Sequence, residues 1–338
     1  MTSPEVDRTK TDDAAAGAFF AGFGEAARKL PPVAIVIAAF NEADVIGQVI
    51  EALPPEICGL KTAVVVVSDG SKDTTAGVAR THGALVADVP VNRGQGAALR
   101  LGYRLAREGG ARYIVTTDAD GQYNPAEMER VLAPVVAGEA DFVTGSRKLG
   151  SQETNDPVRR LGTWVFAVTI SLLTRQRITD SSFGLRAMRA EVTGVVRLEQ
   201  PQYQSSELLI AVLAHGFRVA EVPATIHKRQ VGQSKKGHNA IYGLKFAGVV
   251  LGTWWRERQR RVPGSGSAPR SADGRRADDR SAALSAQDGA PPSRAPEPLA
   301  ASGPDGDGSS SSSSGTPAAS ATETTEPESL DPRSAKRR

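Results

Sequence analysis

Four runs of β-branched and aliphatic residues, each followed by a polar or acidic tag, decide what this chain can fold into. Val33-Ala34-Ile35-Val36-Ile37 leads to Asn41-Glu42, and Ala63-Val64-Val65-Val66-Val67 ends at Ser68-Asp69-Gly70-Ser71. Ala84-Leu85-Val86 leads to Asn92-Arg93-Gly94, and Tyr113-Ile114-Val115-Thr116-Thr117 ends at Asp118. The first three are each followed by a helical stretch, to Leu53, to Arg80 (with Asp73 as its cap) and to Arg107. Continuous apolar strands alternating with helices indicate an α/β fold, a single mostly parallel sheet flanked by helices. Ligands of such sheets bind beyond the carboxyl ends of the strands, where all four tags fall. The pattern points to a nucleotide site.

The tag after the fourth run is the most chemical. Asp118-Ala119-Asp120-Gly121-Gln122 puts two carboxylates and an amide on one short loop. Alternate residues leaving a strand end point the same way, so Asp118 and Asp120 can converge on one hard cation. Magnesium or manganese takes one or two carboxylates and completes its shell with waters and substrate phosphates. The plainer reading is an acidic turn capping the next helix, but Asn124-Pro125 already supplies a cap and a first helical residue. Gly94-Gln95-Gly96-Ala97-Ala98-Leu99 imitates a dinucleotide fingerprint. It follows the third strand rather than the first and ends in Leu99, which argues against a dehydrogenase.

Composition sets the boundaries. Nearly all Val, Ile, Leu, Phe and Trp lie within 32–256, whereas from Arg261 the chain is Ser, Ala, Pro, Gly, Asp and Arg, with a serine run at 309–314. Such a tail buries too little apolar surface to offset its ordering entropy, so 261–338 is expected to be disordered. Residues 1–31 are expected to be disordered or weakly ordered, with an apolar patch at Ala18-Phe19-Phe20-Ala21-Gly22-Phe23 able to dock. That leaves a folded domain at 32–260, roughly 225 residues, a size one α/β core can fill. The formal charge of +3 is too slight to argue for nucleic acid. Cys58, the sole cysteine, excludes a disulfide framework and fits a reducing cytosol. Residues 1–13 do not read as a signal peptide, and no run reaches the roughly 18 to 20 apolar residues of a spanning helix.

In order and spacing, Ala39-Phe40-Asn41-Glu42, Ser68-Asp69-Gly70-Ser71, Asn92-Arg93-Gly94-Gln95-Gly96, Asp118-Ala119-Asp120-Gly121-Gln122 and Gly145-Ser146-Arg147 resemble the GT-A family 2 glycosyltransferases. The likeness is to the dolichol-phosphate mannosyltransferase and polyprenyl-phosphate glycosyltransferase branch, and it runs over about 33–236. The resemblance implies a GT-A (nucleotide-diphospho-sugar transferase) fold and an inverting transferase using a UDP- or GDP-sugar. It places Ala39, Asn41, Glu42 and Asp69 in the base and ribose pocket, with Arg147 and Ser234 also on the donor. Asp118, Asp120 and Gln122 would hold Mg2+ or Mn2+ on the diphosphate. Two residues depart from the family pattern: Ala38 stands where proline is usual, and Gln95 where lysine is frequent.

Further on, Thr179-Asp180-Ser181-Ser182-Phe183-Gly184-Leu185-Arg186 resembles the family's Asp…Gly-Phe-Arg segment, and Arg229-Gln230-Val231-Gly232-Gln233-Ser234-Lys235 its Arg-x-x-Gly-x-Ser-Lys loop. Arg229 and Lys235 on a glycine-containing loop can close over a diphosphate and stabilise the charge it gains on leaving. His227 and His238 read as structural or phosphate-contacting, because the metal already has oxygen ligands. A hydroxyl acceptor needs a base, for which Asp180 and Glu207 are the candidates. A lipid phosphate is already ionised and needs cations, for which Arg147, Arg159 and Arg160 are placed. Residues 157–174 and 241–255 are apolar helical stretches with Trp and Arg at their edges, as in helices that lie in a headgroup region. The expected activity is hexose transfer to polyprenyl phosphate by a peripheral protein on the cytoplasmic membrane face. The alternative is a soluble family 2 enzyme acting on a saccharide or small-molecule hydroxyl, and an exposed apolar face on 157–174 separates the two.

Overall fold

The computed structural model describes residues 4–153, 157–200, 204–228 and 240–260. In chain order the elements are α1 (Pro4–Phe23), α2 (Glu25–Arg28), β1 (Val33–Ala39), α3 (Ala43–Glu51), β2 (Glu56–Ile57), β3 (Leu60–Asp69), α4 (Thr75–Thr81), β4 (Leu85–Val89), α5 (Gln95–Glu108) and β5 (Tyr113–Asp118). Then come α6 (Met128–Val136), β6 (Phe142–Gln152), α7 (Pro157–Thr174), β7 (Arg186–Arg189), α8 (Val192–Val195), α9 (Gln204–Ala214), β8 (Val219–Ile226) and α10 (Ala240–Arg260). The expected tail, 261–338, lies outside the described residues.

The strands form one sheet in the order β4-β3-β1-β5-β7-β6-β8, with the short β2 on the start of β3. The four runs read from sequence are its parallel half, β1 pairing with β3 and β5, and β3 with β4. β7 runs antiparallel between β5 and β6, and β8 runs parallel to β6. β1 is buried on both faces, which is why its sequence does not alternate. Ala34 and Val36 join the layer with Leu101 and Leu105 of α5. Val33, Ile35 and Ile37 join the layer with Ile46 of α3 and Met128 of α6. Register aligns the strand ends: Ala39 lies opposite Ser68, and Ala38 opposite Asp118. The tags therefore share one level of one sheet edge.

The N-terminal segment corrects the sequence reading. Instead of being weakly ordered, residues 4–28 form α1 and α2. Asp12, Ala16, Phe19 and Phe20 are buried at helical spacing, and α1 packs on β4 beside α5. Phe19 and Phe20 join the same buried layer as Ala87 and Val89 of β4. Burying a phenylalanine contributes about 1.5–3 kcal/mol, enough to fix a helix of otherwise small and polar residues.

One turn shows how tightly the strand ends are built. Gly70 has φ 72°, and a Cβ there would lie 2.2 Å from the backbone nitrogen of Asn92. Gly138 has a similar φ of 73° with open space around it. Gly70→Ala is expected to lower the melting temperature clearly more than Gly138→Ala. The latter carries only the left-handed penalty of about 1–2 kcal/mol, and thermal unfolding of the pair isolates the contact.

Candidate active site

The β1–α3 turn and the β3–α4 turn clasp each other. Asn41 has φ 52°, a conformation asparagine tolerates better than most residues. Its N–H donates to Ser71 Oγ at 3.1 Å, and its Oδ1 accepts from the Lys72 N–H at 2.8 Å. The Glu42 N–H donates to Thr75 Oγ1 at 2.9 Å, and the Ala43 N–H to Asp73 Oδ2 at 3.3 Å. Asp73 also accepts from the Thr75 hydroxyl and N–H, so it serves both helix starts; burial would raise its carboxyl, but the Thr75 hydroxyl first and then the N–H bonds hold it below the ordinary range. Ala39, Asn41 and Glu42 thus stand together at the carboxyl edge.

Asp69 is at that edge but faces inward. It is 2% exposed; Oδ2 accepts from the Arg93 and Gly94 N–H groups at 2.7 and 2.8 Å, and Oδ1 from Arg93 Nε at 3.2 Å. Asp69 anchors the turn before α5, and its carboxylate is taken up by these three bonds. That turn then reaches the next strand: Gln95 Nε2 donates to Asp118 Oδ1 at 2.9 Å.

Asp118 ends β5, and Asp120 and Gln122 follow on the loop. Asp120 Oδ1 accepts from the Gln122 N–H at 3.2 Å. Gln122 Nε2 donates to the His227 carbonyl at 2.9 Å, which orients the amide. His227 itself lies 2.8 Å from Glu153 through Nδ1. Two carboxylates and an amide oxygen are hard donors suited to Mg2+ or Mn2+ with phosphates completing the shell. Among the described residues no group of three or more His, Cys, Asp or Glu gathers to hold a metal unaided. The donor set fits an ion that arrives with a phosphorylated substrate.

Residues 179–186 pass against this loop. Thr116 Oγ1 donates to the Gly184 carbonyl, and the Gly184 N–H donates to Tyr123 Oη at 2.8 Å. A Cβ on Gly184 would lie 2.8 Å from Asp118 Oδ2 and 2.7 Å from Tyr123 Oη, so any larger residue would have to displace one of these side chains. Burial, then the charge of Asp118, pushes the Tyr123 hydroxyl far above its ordinary range; it stays protonated.

Residues 34–196 match the glycosyl transferase family 2 profile. The undecaprenyl-phosphate mannosyltransferase of Micrococcus luteus is 30% identical over 239 residues, 66% of this chain and 93% of that protein. The dolichyl-phosphate hexose transferase of Haloferax volcanii is 32% identical over 60% of this chain and 86% of its own. The chain belongs to glycosyltransferase family 2. Glucosyl-3-phosphoglycerate synthase of Mycobacterium tuberculosis, solved with Mn2+, UDP and glucosyl-3-phosphoglycerate, superposes with a TM-score of 0.51. It covers 74% of this chain and 86% of its own at 22% identity, a likeness of fold alone. The family 2 chain accordingly has the GT-A fold, its sheet mixed rather than wholly parallel.

Several roles inferred from the family 2 pattern are altered by the geometry. Asp180, expected as a base, is fully buried and ion-paired with Arg147, whose Nε donates at 2.6 Å; Oδ1 also accepts from the Ser182 N–H. Arg147, expected on the donor, is turned inward onto Asp180 and lies over the Phe183 ring at 5.7 Å. Glu207, the other expected base, is fully buried. It accepts from the Glu199 and Gln200 N–H groups and pairs with Arg256 Nη2 at 2.9 Å. Both carboxylates are buried and engaged by N–H groups and an arginine. Each holds a loop. Arg229, Ser234, Lys235 and His238 lie outside the described residues, as do the side chains of Arg159 and Arg160.

The sequence reading missed Glu221 of β8. Its carboxylate accepts from the Thr179 and Asp180 N–H groups at 2.8 and 2.9 Å and so sets the start of the 179–186 segment. Burial first, and Asp180 last, raise its carboxyl above the ordinary range. The only sequence signal was an acid inside the otherwise apolar Val219-Ala220-Glu221-Val222. Gln95, which departs from the family's frequent lysine, is the residue that contacts Asp118.

Proposed function

We propose that this family 2 transferase moves a hexose from a UDP- or GDP-sugar to a polyprenyl phosphate at a membrane surface, inverting the anomeric carbon. The observation that carries the acceptor is an exposed apolar stripe on α7. Trp164, Val165, Val168 and Leu172 are 53%, 43%, 37% and 76% exposed, while Ala167 and Ile170 on the opposite face are buried. Spacings of three and four residues put the exposed four on one side of the helix. α10 adds exposed Leu251 and Trp255. Between the helices lies a cavity of about 390 Å³ lined by Trp254, Arg175 and Arg258 among others. Apolar and aromatic side chains with arginines at the rim suit a helix lying in the headgroup layer. No helix among the described residues is long and apolar enough to cross a membrane. The protein would then sit peripherally, on the cytoplasmic face, where free Cys58 stays reduced. From α7 the chain runs directly into residues 179–186, which touch Asp118, so surface and chemistry are contiguous.

At the carboxyl edge, Ala39, Asn41 and Glu42 would receive the base and ribose, with Asp69 fixing the wall behind them. Asp118, Asp120 and Gln122 would hold Mg2+ or Mn2+, which neutralises charge on the leaving diphosphate. Arg229 and Lys235 would add cationic contacts to that group, with Ser234 beside them. A phosphate acceptor is already ionised, so the attack needs positioning and no general base. This agrees with the enclosure of Asp180 and Glu207.

Trp164→Asp with Leu172→Asp tests the acceptor reading. The pair is expected to abolish co-sedimentation with anionic vesicles and to lower transfer to vesicle-borne polyprenyl phosphate at least about tenfold. Affinity for the donor nucleotide should stay within about twofold. Unchanged vesicle binding and transfer in the double variant would show that the α7 stripe does not deliver the acceptor, and no transfer to polyprenyl phosphate by the unaltered protein would return the acceptor to a saccharide or small-molecule hydroxyl.

A further inference from the structure

α1 precedes the segment that matches the family, 34–196, yet its Asp12 side chain ends in the wall of the proposed donor site. Asp12 is 8% exposed. Its Oδ1 accepts from Arg93 Nη1, and its Oδ2 accepts from Arg100 Nε and Nη2, both at 3.1 Å. Arg93 therefore spans two carboxylates, Asp12 through Nη1 and Asp69 through Nε. Side-chain exposures are 12% for Arg93, 11% for Asp12 and 3% for Asp69, so these are largely dehydrated charges. Arg93 Nη2 is buried with no partner among the described residues. Removing Asp12 would strip a second guanidinium nitrogen of its partner, and a buried charge that loses its partner moves or drags its surroundings.

What Arg93 would drag is the turn at the metal loop. Its own N–H and that of Gly94 are gripped by Asp69, and the next residue, Gln95, donates to Asp118 Oδ1. A second branch leaves Asp12 through Arg100, whose Nη1 donates to the Leu198 carbonyl. The adjoining Glu199 and Gln200 N–H groups rest on Glu207. Gln200 in turn packs against Gly96 in the first turn of α5, where a Cβ would lie 2.0 Å from its carbonyl oxygen. Both branches from Asp12 thus converge on the start of α5.

We infer that α1 is a positioning element of the donor site, with Asp12 acting through Arg93 to hold residues 92–96 where a metal-bound nucleoside diphosphate is received. Asp12 is a positioning residue and touches no substrate. The inference rests on the reading of Asp118 and Asp120 as part of the donor site. A built-in control lies next door. Asp13 pairs with Arg104, and Arg104 with Glu108, anchoring the same helix to α5 without reaching Arg93 or Asp69.

Coupling between sites is reciprocal, so a helix that orders the nucleotide site must itself be ordered by nucleotide. The experiment uses the full chain with Mn2+ and either UDP or GDP. Hydrogen exchange of the unaltered protein should slow at residues 92–96 and, at least about threefold, along α1. Calorimetry should show the nucleotide dissociation constant raised about tenfold by Asp12→Asn, kept within about twofold of the parent by Asp13→Asn, and largely restored by Asp12→Glu. In turnover, Asp12→Asn should raise the donor KM with kcat little changed. Slowed exchange at 92–96 with none in α1, or equal binding by the Asp12→Asn and Asp13→Asn variants, would overturn the inference and leave the donor site standing. Failure of the unaltered protein to bind either nucleotide would remove the donor-site reading and the inference together.

Discussion

Alanine at position 120 is expected to lower sugar transfer by about three orders of magnitude, the scale of losing one preorganised group that stabilises developing charge. Asp118 and Asp120 are the carboxylates on the loop that ends β5, and two such groups leave room for diphosphate oxygens in an octahedral shell. Without Asp120 a single carboxylate remains, too little to hold the ion at ordinary concentrations. The loss should therefore be partly repaired by raising Mn2+ into the millimolar range, and circular dichroism should match the parent protein. Activity within tenfold of the parent at low metal would mean that the loop caps the next element and does no more.

The second large effect is on stability. Asp180→Ala strands the Arg147 guanidinium, 7% exposed, against a wholly buried site. Removing one member of a buried pair costs about 3–5 kcal/mol. For a domain of this size each kcal/mol lowers the melting temperature by about 2–4 °C, so a fall on the order of 10 °C is expected. Replacing both partners, Arg147→Met with Asp180→Leu, should recover much of it, because two apolar groups leave no unpaired charge. Were Asp180 a general base in contact with the acceptor, the single variant would lose turnover with its melting temperature unmoved. Scanning calorimetry beside an activity assay separates the two.

The parallel half of the sheet was legible because its strands are buried on both faces, and continuous β-branched runs have few other uses. The second half was harder to read. β8 carries Glu221 and Pro223 among its apolar residues, and β7 is four residues long, inserted antiparallel between β5 and β6. Which carboxylates cluster at the carboxyl edge could also be read, since strand ends and tags coincide. Which way each carboxylate faces could not. Asp69, Asp180 and Glu207 are turned by arginines 24, 33 and 49 residues distant in sequence, and no local pattern announces such partners. α1 escaped notice for a related reason. Its helix is mostly alanine and charge, and only packing on β4 makes Phe19 and Phe20 a core.

The central claim is that this family 2 transferase glycosylates a lipid phosphate. The most direct measurement follows label from UDP-glucose or GDP-mannose into organic solvent, with purified protein, Mn2+ and polyprenyl phosphate in vesicles. Extractable, mild-acid-labile label from one of the two donors, absent with Asp120→Ala, is the expected result. Metal-dependent release of UDP or GDP with no label in the lipid phase would contradict it.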